Sequence, residues 1–240
     1  MFKNIFKQEL FYWLKKPTFY FFGIVFFAFT FLTFSGSAGL FDAHAESGQL
    51  KEWLNSSYGV NFSLLYLNKL MVALIPAIVG VSIYKDFRYR MHSILYSFAI
   101  NKTHYLGARL SASFSIVILI VLAVLSSMLL VEYLPGLDPA KMGPLHLSGY
   151  LHTFLVYLLP NLILSSSIVI AIIVSSRNIY AAFVGALIPF LLQTITENAF
   201  AGNSELIALF DPFGQNTLAY YTRDWSIIDK NTNSLPLDSD

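Results

Sequence analysis

The chain has 240 residues, of which 56% are apolar and only 12% charged, where a soluble domain carries about 25% charge. A compact water-soluble body of this size cannot bury so much apolar surface, so a soluble enzyme is excluded and an integral membrane protein is indicated. The net charge is +1 and Cys is absent, which removes disulfides, thiolate metal sites and thiol catalysis.

In residues 1–17, Phe2, Ile5, Phe6, Leu10, Trp13 and Leu14 fall at helical spacing, with Lys3, Lys7, Gln8 and Lys15 mainly elsewhere on the wheel. This predicts a short basic amphipathic helix in the headgroup layer, with its aromatics in the interface and its lysines toward anionic lipid. Pro17 disfavours helical geometry at Lys16 and can itself begin a helix, so a break is expected there.

Five apolar runs follow that are long enough for the roughly 20 residues a membrane helix needs. They cover about 18–34, 62–84, 105–133, 149–174 and 179–196. Runs of this length are not barrel strands, which alternate over about ten residues, and helices satisfy their own backbone in lipid. The expected fold is therefore an all-α polytopic membrane protein with five transmembrane helices and an N-terminal interface helix. Pro76, Pro160 and Pro189 fall inside spans and predict kinks or hinges. Ala43-His44-Ala45 matches a small-x-small cleavage pattern, but it lies well past a long apolar run, so the first span reads as an uncleaved anchor.

The charges alternate with the spans. The leading segment, the loop after the second span and the link after the fourth hold ten basic residues against Glu9 and Asp86. The other connections and the 198–240 polar segment hold twelve acids against four bases. The positive-inside rule then places the N-terminus in the cytoplasm.

The loop after the second span, 85–104, is too polar for a span and too patterned for a loose linker. Tyr84, Asp86, Phe87, Leu95, Tyr96, Ser97, Ile100, Lys102, Tyr105, Leu106 and Arg109 form a Tyr-x-Asp-Phe…Leu-Tyr-Ser-x-x-Ile-x-Lys-x-x-Tyr-Leu-x-x-Arg pattern. With the order amphipathic helix, span, outward loop, span, this resembles the membrane subunit of ABC-2 type transporters. The later Asp211-Pro212-Phe213-Gly214 run, with Trp225 and Lys230-Asn231, resembles a bacterial subgroup whose spans are fused to an M1-type aminopeptidase. That pattern has Pro at about Phe98, where this chain departs from it, and no zinc-peptidase helix is present.

The resemblance implies a multi-pass protein of the bacterial inner membrane, paired with a cytoplasmic ATP-binding subunit and a second permease copy or homologue. It implies that 85–104 is the coupling segment, with Asp86, Phe87, Arg88, Arg90, Leu95 and Lys102 docking the ATPase. It also implies six spans, so the chain is expected to be an N-terminal fragment lacking the sixth. The alternative reading is a non-transporting anchor or scaffold, for example for a fused peptidase. An ion-coupled carrier is disfavoured because the deep positions offer chiefly Ser, Asn161 and Gln193.

No Walker loop and no His-Glu-x-x-His are present, so ATP hydrolysis is expected in a partner, and no cofactor, metal or nucleic acid is expected. Of the five histidines only His146 and His152 are near each other, without a known ligand spacing. Ser165, Ser166 and Ser167 read as helix-packing groups, and Asp211-Pro212 as a turn or helix start. Lys69 is the one full charge close to a membrane-embedded run. Its stem can snorkel to water, and the competing reading is a place on the transport pathway.

Overall fold

The structure is a computed structural model and describes residues 1–41, 51–90 and 101–235. Among these residues it is built of helices with no strand. Helix α1 spans Phe2–Leu14 and ends at Lys15, and α2 begins at Pro17 and runs to Ser37, so the expected break before the proline is present. The second span combines α3 (Ser57–Val72), a π-helical turn (Pro76–Gly80) and α4 (Val81–Arg88). The third is the uninterrupted α5 (Lys102–Val131). The fourth combines α6 (Leu147–His152), a second π-helical turn (Thr153–Leu158) and α7 (Leu159–Ser176). The fifth combines α8 (Ile179–Gly185) and α9 (Ile188–Ala199). Three short helices follow: α10 (Ser204–Leu209), α11 (Gln215–Tyr221) and α12 (Ile227–Thr232).

Among the described residues five helices are long and apolar enough to cross a membrane: Pro17–Ser37, Ser57–Arg88, Lys102–Val131, Leu147–Ser176 and Ile179–Ala199. All three span prolines sit at helix irregularities. Pro76 opens the first π-turn, Pro160 follows the second, and Pro189 follows the turn at Ala186–Leu187. Each ring lacks a backbone N–H and crowds the carbonyl four residues back, so the ladder widens or breaks there.

The chain groups into two compact units. The first takes in 1–26, 71–123 and 162–188, and the second 27–70, 124–161 and 189–240. In the first unit Ile75, Ile78, Val79, Ala112, Ile116, Val117, Ile120, Val169 and Ile173 are fully or almost fully buried. Small residues set the close approaches: a Cβ on Gly80 would lie 2.9 Å from Ile173 Cδ1. In the second unit Leu65, Leu218 and Leu235 form a buried cluster, with Tyr58, Tyr157 and Trp225 packed on it.

The described residues of the 198–240 segment are therefore not a loose polar tail. Phe213 is buried, Asn161 Nδ2 donates to its carbonyl at 3.0 Å, and Phe190 packs on its ring at 4.9 Å between centroids. Asp211 accepts from the backbone N–H groups of Phe213, Asn216 and Thr217 at 3.0, 2.5 and 3.2 Å, holding the start of α11. The expected helix-start role of Asp211-Pro212 is present. Gly214 adopts φ +83°, and a Cβ there would meet the Tyr157 ring at 2.8 Å, so this position accepts only glycine without strain.

Candidate functional site: a buried charge cluster at the base of the 85–104 segment

The first unit gathers the basic charge. Among the described residues it holds ten Lys and Arg against Glu9 and Asp86, while the second unit holds five against eight acids. Both acids of the first unit enter one cluster with two of its bases. Arg109, on α5, lies at its centre with its side chain 7% exposed. Its guanidinium pairs with Asp86 on α4, donates to the Tyr105 hydroxyl at 2.7 Å and to the Ser82 carbonyl, and lies 3.6 Å from Glu9 of α1. The Tyr105 hydroxyl in turn donates to the Asp86 carboxylate at 3.2 Å. Lys85 closes the ring on Glu9 at 3.0 Å and lies over the Tyr12 ring at 3.5 Å. Two carboxylates and two cations leave the cluster neutral, as burial of ionised groups requires.

Ser82 ties α1 to the spans. Its hydroxyl donates to Glu9 at 3.0 Å and accepts from Trp13 Nε1 at 3.0 Å and from the Ser113 hydroxyl at 2.6 Å. One proton and both lone pairs are thus used, the full capacity of a hydroxyl. Trp13 is 3% exposed, so its ring is packed and its polar edge is satisfied. Helix α1 is consequently pinned through Glu9 and Trp13 to the second and third spans, and the amphipathic pattern alone did not indicate those contacts.

The expected docking residues divide. Asp86 faces inward in the cluster. Phe87 is half-buried and has the Arg177 guanidinium 5.8 Å from its ring centroid. Arg88 and Arg90 are exposed, with Arg90 at φ +53° just past the end of α4, and Lys102 is exposed on the first turn of α5. Leu95 lies outside the described residues, as do Ala43-His44-Ala45 and the rest of 91–100. Residues 85–88 are the last turn of the second span and 102–104 the first turn of the third, so the segment's two ends are continuous with span helices.

Lys69 belongs to the second unit. It is the thirteenth residue of the 32-residue helix Ser57–Arg88, roughly 18 Å along the axis from Ser57 at 1.5 Å per residue. Its ammonium lies 5.4 Å from the Phe213 ring and 5.9 Å from that of Tyr66. Of the three serines, Ser165 and Ser166 are buried, and Ser167 donates to the Ile163 carbonyl at 2.8 Å within its own helix. Among the described residues no group of three or more His, Cys, Asp or Glu is placed to hold a metal ion.

Sequence reasoning missed Glu9, Ser82 and Ser113, and it used Arg109 only as a pattern position. One signal was available: Glu9 is the sole acid before residue 42, set among four lysines on a helix of otherwise uniform sign. Comparison with family models, with curated proteins and with solved structures finds no match to this chain.

Proposed function

We propose that the chain is the membrane subunit of an ATP-driven transporter of the ABC-2 type, N-terminus in the cytoplasm, coupled through residues 85–104 to a separate ATP-hydrolysing subunit. The observation that carries this reading is the Arg109 cluster. It joins α1, the end of the second span and the start of the third into one unit at the two ends of the 85–104 segment. A load applied to that segment passes directly into two spans and the interface helix, because ion pairs and hydrogen bonds connect them where a flexible linker would dissipate it. Arg88, Arg90 and Lys102 stay exposed there and offer a basic face to a partner. The concentration of basic residues in one unit supports the cytoplasmic placement through the positive-inside rule.

In this account hydrolysis belongs to the partner. Its closure displaces the segment, and the prolines at the helix irregularities of the second, fourth and fifth spans give points where the spans can bend. Affinity purification from native membranes tests the proposal. The wild-type chain should carry an ATP-hydrolysing subunit, and R88E/R90E should lose it while keeping its own fold. An R88E/R90E preparation with undiminished ATPase removes the docking role, and a wild-type preparation without ATPase favours the scaffold reading.

A further inference from the structure

In the second unit, residues of Phe29–Ser37 and Phe62–Leu70, with Phe190, enclose a groove of about 550 Å³. That volume lies within the roughly 300–1,000 Å³ of small-ligand sites. Phe29, Phe62 and Tyr66 form exposed lips, while Thr30 and Phe34 are buried behind them. The hydroxyl of Thr33 is satisfied inside its own helix, by the carbonyls of Phe29 and Thr30 at 2.9 and 3.1 Å. The wall is largely apolar and aromatic, with the hydroxyls of Thr30, Ser37 and Ser63 set in it, and among the described residues Lys69 is the only charged one that lines it.

Lys69 has aromatic neighbours but no carboxylate at ion-pair distance among the described residues. Asp211 and Glu197 are the acids whose charges reach it, but neither stands at ion-pair distance, and their oxygens face other donors. Asp211 accepts three backbone N–H groups at the start of α11. Glu197 accepts from the amides of Gln193 and Asn216, both at 2.9 Å. A cation in an apolar wall without a paired anion is costly, and ionisable groups in membrane helices mark sites of function. The chemistry that completes this wall is an anion attached to a hydrocarbon chain.

We propose that this groove binds a single-chain anionic amphiphile, with its acyl chain between Phe29, Phe62 and Tyr66 and its acidic head on the Lys69 ammonium. Binding needs nothing from the transporter reading; that the amphiphile is the transported cargo rests on it. Charge selects the ligand: a cationic amphiphile of equal chain length meets Lys69 as a like charge and is rejected.

The test uses the full chain in phosphatidylcholine nanodiscs with hexadecanoate carrying a terminal diazirine. Photolabelling should saturate, map to 29–37 and 62–70, and be competed by hexadecanoate but not by hexadecylamine. Lys69→Met should weaken the apparent affinity by roughly ten- to a hundredfold, the reach of one charge-assisted contact, while Lys69→Arg stays near wild type. Equal competition by the amine on the wild-type chain, or K69M labelling at wild-type affinity, overturns the proposal. So does labelling spread without saturation over the span helices.

The chain has no Cys, so Tyr66→Cys adds a further arm. Disulfide formation between two copies at that position, with loss of labelling, would make the groove a self-interface and overturn ligand binding. ATPase co-purification read on the same protein separates the two proposals. Labelling without ATPase retains the binding site and removes the transporter, and ATPase without labelling does the reverse.

Discussion

Replacing Arg109 by Met removes the centre of the buried cluster while keeping a long side chain in its place. Glu9 and Asp86, with side chains 12% and 20% exposed, then lose their shared cation, and the Ser82 carbonyl and Tyr105 hydroxyl lose a donor. Lys85 remains on Glu9 at 3.0 Å, so the larger loss falls on Asp86. Removing one partner of a buried ion pair costs about 3–5 kcal/mol, because the other charge stays buried without compensation. At roughly 2–4 °C per kcal/mol for a chain of this size, that corresponds to a fall of about 6–20 °C in the melting temperature. Size exclusion after heating in detergent reads this.

The mechanism has a second signature. Asp86→Asn in the R109M background removes the carboxylate that lost the Arg109 cation and should recover a good part of the loss. Arg109→Lys should fall between, since an ammonium keeps the charge but cannot fork to Asp86 and the Ser82 carbonyl together. A loss below about 1 kcal/mol for R109M, the range of an exposed pair, or no recovery in the double variant, refutes the argument that the cluster is a buried, mutually compensated unit.

Two further predictions concern the units separately. Single cysteines placed at Lys16 and Arg177 of the first unit should react with a membrane-impermeant maleimide only from the cytoplasmic side, and ones at Lys141 and Arg223 of the second only from the opposite side; labelling of both pairs from one side removes the proposed orientation. Asp138 accepts the backbone N–H of Ala140 at 2.9 Å and pairs with Lys51 at 3.1 Å, which together hold its carboxyl below the usual range. A depressed folded-state pKa stabilises above the unfolded value of about 3.9, and the effect is lost as pH falls through the folded value. D138N should therefore melt below wild type at pH 7, and the two should converge in acid; a gap that persists at pH 2 points to packing and not charge.

The five spans were legible because in lipid nearly every position must be apolar, and that demand overrides finer patterning. Their ends were less so. The second span begins at Ser57, and the expected start near Phe62 fell late because Ser57, Asn61 and Ser63 make its first turns look like loop. Asn61 is buried and its Nδ2 donates to the Ser57 carbonyl at 2.9 Å within the helix, a contact no composition window detects. That extension moves Lys69 well inside the helix. Helix α1 and its break at Pro17 followed from periodicity and proline geometry.

The Arg109 cluster did not follow, because its members come from three helices and each looks ordinary alone: a lone acid on a basic helix, a serine within a span, an arginine after a loop. Their pairing is a property of how α1 packs, since Ser82 and Glu9 are 73 positions apart in the chain. The packed segment after the fifth span was missed for a related reason. Its buried anchors, Phe213, Leu218 and Leu235, are too sparse among polar neighbours to register as a core until Leu65 and Tyr157 are brought against them.

Residues 85–104 are proposed to deliver a partner's ATP-driven movement to the spans. The most direct measurement of this role places a photo-cross-linking amino acid at Arg88, Lys102 and, as a control, Lys141, each in turn, in cells expressing the native partners. Adducts with an ATP-hydrolysing subunit are expected from positions 88 and 102 and none from 141. Adducts from 141, or none with an ATPase from 88 or 102, would contradict it.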